Sequence, residues 1–171
     1  MIKSEKKHKE LSEILIKGDP VLISGAIELI REEQAFEGAI GLLTNYYDKT
    51  KDLTIRKSIE GFMNDLKDEK VIPEIIKEIR NPWKEDTISM LISSFWQSGL
   101  NFSEYLMDFA EVFIKGDYVT AIECLTVIEE SVHELTAGQL NGIKKHIEES
   151  QLILQDEKKA LKGELIAILS R

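Results

Sequence analysis

Glu5-Lys-Lys-His8 and Glu130-Ser-Val-His133 share the Glu-x-x-His spacing at which one helix turns a carboxylate and an imidazole to the same side. Inside a helical bundle that pair is the donor set of a two-metal centre. Whether it does such chemistry depends on what surrounds it. Glu5 and His8 stand among Lys3, Lys6, Lys7 and Lys9, a segment too polar to face a core. His133 follows Val132, which continues an apolar stripe, and neighbours on a helix diverge by about 100°. The imidazole therefore falls at the rim. Both pairs read as solvated faces, and no metal or other cofactor is expected. The remaining histidine, His146, sits mid-helix outside any nucleophile motif.

Other reactive groups are as sparse. The single cysteine, Cys124, lies in an apolar helical pattern with no His or Lys beside it to favour a thiolate. A small buried hydrophobe in a reducing compartment is expected there. The ten glycines are scattered, and none forms a loop ahead of Lys-Ser or Lys-Thr that could cradle phosphate. No catalytic residue emerges, and an enzyme is not expected.

Charge is the stronger signal. Net charge is −9, and between Lys84 and Glu134 ten carboxylates stand against two lysines. Such a segment repels a phosphate backbone, so nucleic acid is not an expected partner. Within it Glu104, Asp108 and Glu111 follow helical spacing. They read either as a solvated face or as an acidic groove that grips the lysines and arginines of a partner peptide. The lysines near the N-terminus precede no apolar stretch of the secretory kind. The longest run without charge, Thr87–Ser103, carries five serines besides Gln97, Gly99 and Asn101, a buried amphipathic helix and turn rather than a membrane span. A cytoplasmic location without membrane association is expected.

The elements that position these groups follow from one pattern. Ile23-Ile27-Ile30, Ile55-Ile59-Phe62, Ile88-Ile92-Phe95 and Ala121-Leu125-Ile128 each keep the i, i+4, i+7 spacing of one helix face, and their first members lie 32, 33 and 33 residues apart. That is the signature of stacked helical hairpins, each burying its apolar face against its neighbours. A first helix over Ser4–Lys17 carries Leu11, Ile14 and Leu15. Lys17-Gly18 stops it, and Asp19-Pro20 starts the next as N-cap and first-turn proline. A helix over Ala35–Asp48 follows with Phe36, Ile40, Leu43 and Tyr47. Asn81-Pro82 is expected to cap and open the third unit, which places Trp83 in a first turn, as a staple or as an exposed aromatic anchor. Trp96, beside Phe95, is expected in the interior. Asn101–Glu104 and Thr136–Gln139 read as capping boxes, Gly116-Asp117 as a stop and a start. A last helix over residues 156–170 breaks the period and looks like a terminal cap.

The second unit carries finer detail: Asp52, Ile55-Arg56, Ser58-Ile59, Phe62, Leu66, Asp68, Val71-Ile72-Pro73 and Ile75-Ile76-Ile79. This resembles a short HEAT repeat. The other units hold the period without the arginine, Ser24 and Ser89 standing in its place. The resemblance implies an all-α, right-handed α-α superhelix of four to five stacked hairpins, HEAT- or armadillo-like. On that reading residues 1–171 form one solenoid domain, with 1–10 a flexible leader and 156–170 the capping helix. It also implies that second helices line a concave face. Glu37, Thr44, Asp48, Glu74, Lys77, Glu78, Glu104, Asp108 and Glu111 are then the polar positions on it. Glu74, Glu78, Trp83, Glu104, Asp108 and Glu111 are the candidate partner-binding residues. The expected function is a non-catalytic scaffold that binds a protein or peptide, basic in character, as a monomer or weak homodimer. The rival readings are a HEAT-like DNA-processing enzyme, which the acidic charge disfavours, and a self-associating structural unit.

Overall fold

A computed structural model of the chain describes residues 2–33, 35–150 and 156–170. Ten α-helices form among them, and no strand: α1 (Ile2–Lys17), α2 (Pro20–Glu33), α3 (Ala39–Lys49), α4 (Leu53–Asn64), α5 (Ile72–Ile79), α6 (Glu85–Ser98), α7 (Leu106–Lys115), α8 (Tyr118–Ser131), α9 (Ala137–Glu149) and α10 (Asp156–Ile168). The chain divides into two compact units, Met1–Leu100 and Asn101–Arg171.

Local chemistry accounts for most boundaries. Gly18 takes a positive φ of 70° and ends α1. Asp19 Oδ1 accepts from the amides of Val21 and Leu22, and Asp52 Oδ1 from those of Thr54 and Ile55. Asp117 accepts from Thr120 N to open α8, and Thr136 with Gln139 completes a reciprocal capping box on α9. The leader marked off at residues 1–10 is helical from Ile2 onward; Met1 lies outside the described residues.

Three boundaries depart from the sequence reading. α3 begins at Ala39 rather than Ala35, because Gly38 sits at φ 90° and interrupts the helix. α6 begins at Glu85, beyond Asn81-Pro82, where Trp83 N instead folds back onto Asn81 O at 2.9 Å. Asn101 caps differently from a capping box. Its Oδ1 accepts from Ser103 N at 2.9 Å, a 3-10 turn covers Ser103–Tyr105, and α7 starts only at Leu106.

In the first unit α2, α4 and α6 pack side by side in one layer, and α1, α3 and α5 form the other. The apolar triplets meet between the layers: Ile23, Ile27, Ile55, Ile59, Phe62, Ile92 and Phe95 are buried with Ile40, Leu43, Ile75 and Ile76. The helices of this unit are also tied through polar side chains. Arg31 Nε donates to Asp65 Oδ2 at 2.5 Å, and Asn64 Nδ2 to Gln97 Oε1 at 3.1 Å. Arg56 pairs with Asp86 and lies 4.1 Å over the Tyr47 ring, whose hydroxyl donates to Glu60 at 2.7 Å. Trp96 is a correction to the expected interior position. It is 42% exposed, because the triplet directs Phe95 inward and its neighbour is rotated off that face.

In the second unit α7 packs on α8 and α9, and α10 on α8 and α9. Phe102, Phe109 and Phe113 form the centre, the first two edge-to-face at 5.5 Å, with Cys124, Ile128, Ile147 and Leu165 around them. Burial pushes the Cys124 thiol well above its ordinary range, aided by Glu123, so it packs as a hydrophobe. Asn101 Nδ2 reaches Glu134 Oε2 at 2.6 Å. Among the described residues no helix is long and apolar enough to cross a membrane.

Candidate interaction groove

An open groove of about 1200 Å³ runs along the α1, α3, α5 side of the first unit. Its walls come from Glu5 and His8 on α1, Phe36–Gly38 and Gly41 at the start of α3, and Pro73, Glu74, Lys77 and Glu78 on α5, with Asn81 and Trp83 beyond. Three of the six predicted site residues, Glu74, Glu78 and Trp83, meet here.

Two of the three are committed to the fold. The first amides of a helix have no intrahelical acceptor, and Glu74 supplies one from the neighbouring helix. Its Oε2 accepts from Gly38 N at 2.9 Å and its Oε1 from Gly41 N at 3.0 Å. The carboxylate thus sits at the positive end of the α3 dipole. Glu78 is only 5% exposed and accepts from Asn81 Nδ2 at 3.0 Å. A Cβ at Gly41 would stand 3.0 Å from Glu78 Oε1, so the glycine lets both carboxylates approach α3. Asp48 plays the same part for α6. Burial opposes its ionisation, but bonds from the Lys84 amide at 3.0 Å, from the Thr87 hydroxyl at 2.9 Å and from the Lys84 ammonium outweigh it, and its pKa is lowered. Thr44, expected as a polar surface position, is fully buried.

What remains open to a partner is different. Trp83 is half-buried, and its indole Nε1 is shielded from solvent with no acceptor. Glu5, Glu37, Lys70 and Lys77 line the groove and are exposed. In total the lining carries five carboxylates against two lysines. His8 lies across Gly38, where a Cβ would meet its ring at 2.5 Å. The left-handed Gly38 thus makes room for the imidazole as well as ending the approach to α3. Sequence reading missed His8, Glu5 and Phe36 as lining residues. Their signal was Gly38 and Gly41 standing one period before Glu74.

The other three predicted residues belong to the second unit. Glu104 is exposed in the 3-10 turn before α7, so it does not continue the helical face of Asp108 and Glu111. Glu111 is already engaged. Lys115 Nζ is 2.9 Å from one oxygen and His146 Nε2 is 2.7 Å from the other, and the lysine foremost holds its pKa below the usual range. Asp108 is half-buried on α7. A group the sequence did not single out is Lys158 on α10. It is 4% exposed, and its ammonium donates to Gly116 O at 2.6 Å and Ile114 O at 3.0 Å, closing the C-terminal end of α7. Burial lowers its pKa.

Among the described residues no three His, Cys, Asp or Glu side chains gather as metal ligands would. Glu5 and His8 line the groove, and His133 is exposed beside Glu134. Comparison with family models, with curated proteins and with solved structures returned no match.

Proposed function

We propose that the chain is a non-catalytic interaction module that takes an extended protein segment in the α1, α3, α5 groove, through its basic side chains. The observation that carries this reading is the lining of the groove, in which five carboxylates stand against two lysines around the half-buried Trp83. An indole edge with an apolar body is also the side chain most often found as an interface anchor. The acidic excess selects for lysine or arginine in the occupant and against nucleic acid. The layered packing of α2, α4 and α6 over α1, α3 and α5, and the ties between groups one period apart, support a HEAT-like superhelix as the frame.

Selection of peptides from a displayed random library against the full chain tests the proposal. Enriched sequences carry Lys or Arg. Their affinity falls at least tenfold in Trp83→Ala and also in Glu37→Lys, an exposed charge reversal that leaves the core untouched. Peptides without a basic residue, or equal affinity for both variants, would sink it.

A further inference from the structure

A second surface lies on α2, away from the groove. The positions immediately before each member of the buried triplets form one column along each helix of that layer. On α4 they are Thr54, Ser58 and Gly61; on α6 they are Thr87, Leu91 and Ser94. Gly61 faces α2, since a Cβ there would lie 3.7 Å from the Arg31 guanidinium. In α6 the column is buried throughout. Small residues dominate it, because two helices approach closely along it. On α2 the same column reads Leu22, Ala26 and Leu29. Arg31 directs the opposite flank of α2 at α4, so this column faces away from the rest of the layer. Leu22 is 49% and Leu29 61% exposed. Half-buried Ile14 of α1 extends the patch, and a Lys7–Glu33 ion pair at 2.5 Å bounds it.

Gly25 adds an independent observation. It sits mid-helix, exposed, with nothing within 4 Å of a Cβ built on it. None of the described residues requires a glycine there, and a glycine loosens a helix. With it the face reads Leu22, Gly25, Ala26, Leu29, large, small, small, large, and so is symmetric in side-chain size about its midpoint. When two such helices cross antiparallel on a two-fold axis, Leu22 of each meets Leu29 of the other, and Gly25 meets Ala26 at the crossing, where backbones come closest. A two-fold contact demands a surface complementary to itself. Charge agrees with this direction. The exposed Glu32 at the end of α2 comes to lie beside the exposed Lys17 and the N-terminal turn of the other copy's α2. Asp19 is the like charge there, and its Oδ1 is held by two amides of its own helix.

We infer that α2 is a homodimerisation helix, pairing antiparallel with a second copy of this chain across Leu22, Gly25, Ala26 and Leu29. The test is sedimentation equilibrium of the full chain over a thousandfold concentration range. The wild type moves from 19.5 kDa towards twice that mass. Leu29→Glu, at an exposed site, stays monomeric with an unchanged circular dichroism spectrum. Gly25→Gln weakens the dimer at least tenfold while the melting temperature of the dilute monomer holds or rises, since glutamine favours helix. In a Cys124→Ala background, Ala26→Cys forms an intermolecular disulfide under mild oxidation and Ser58→Cys does not. A wild type that remains at 19.5 kDa throughout overturns the inference. So does a dimer that survives Leu29→Glu or Gly25→Gln. None of these changes touches Trp83 or Glu37, so peptide capture by the groove succeeds or fails separately.

Discussion

The two units close helix ends with opposite charges. In the first, carboxylates from neighbouring helices cover helix starts: Glu74 that of α3, Asp48 that of α6. In the second, the ammonium of Lys158 covers the end of α7. Each sign matches the dipole it meets. The settings differ in depth, however. Glu74 and Asp48 keep contact with solvent at the groove or the surface, whereas Lys158 is buried with two carbonyls as its partners. Charged residues on inward faces thus act as caps supplied from a different element, and the deeper the cap, the more its removal leaves stranded.

The largest expected effect follows from that depth. Lys158→Met should destabilise the second unit by about 2–4 kcal/mol, since two buried carbonyls lose their donor. Urea denaturation followed through the melting of α7 and α10 reads it. A loss under about 0.5 kcal/mol would mean that water replaces the ammonium, and the contrast in depth would collapse. The pH dependence has a definite sign. The folded pKa is depressed, so the folded state gives up its proton before the unfolded one. Lys158 therefore contributes a stability increment that is fully present above the ordinary lysine value and is lost as pH falls through the folded value. Alkaline titration of wild type against Lys158→Met should show that increment only in the wild type.

Glu74→Ala comes next, at about 1–2 kcal/mol, because it strips two amides of α3 of their acceptor. Glu74→Gln should recover part of the loss, having one oxygen to offer. If Ala and Gln behave alike in thermal melts, the carboxylate is not acting as a cap. Asp48 sharpens the same point through pH. Its folded pKa is lowered, so its stabilisation is present above the ordinary carboxylate range and is lost as pH falls through the folded value. Asp48→Asn should flatten the acid limb of the stability curve. The smallest effect belongs to Arg31→Gln. The hydrogen bond to Asp65 raises the pKa of Arg31, but the pair is largely exposed, and at most about 1 kcal/mol is expected, falling with added salt.

Much of the helical layout was legible in residue order. The four triplets are in the core, with Ile88 half-buried at its edge; Asp19, Asp117 and Thr136 open the helices they were read to open, and Asp52 opens α4. Prolines misled where the chain turned before the helix: Pro82 looks like a first-turn residue, yet the turn at Asn81–Trp83 intervenes. The candidate site was legible only in part. Trp83, Glu74 and Glu78 meet at one groove, but spacing gave no hint that the two glutamates serve α3. Nor did it separate Trp96 from Phe95 by exposure, or mark Lys158 as the most buried charge in its unit.

The physical reason is range. Helix starts, stops and buried faces depend on groups within about four residues of one another, and a single chain displays those directly. The sequence by itself therefore determined most of the helices, the local caps at Asp19, Asp52, Asp117 and Thr136, and the 32–33-residue period. The role of a charged or aromatic side chain depends on which helix end or backbone amide stands opposite, thirty or more residues away. Only the tertiary structure decided that Glu74 and Lys158 are caps, that Gly41 makes room for carboxylates, and that Leu22 and Leu29 face outward.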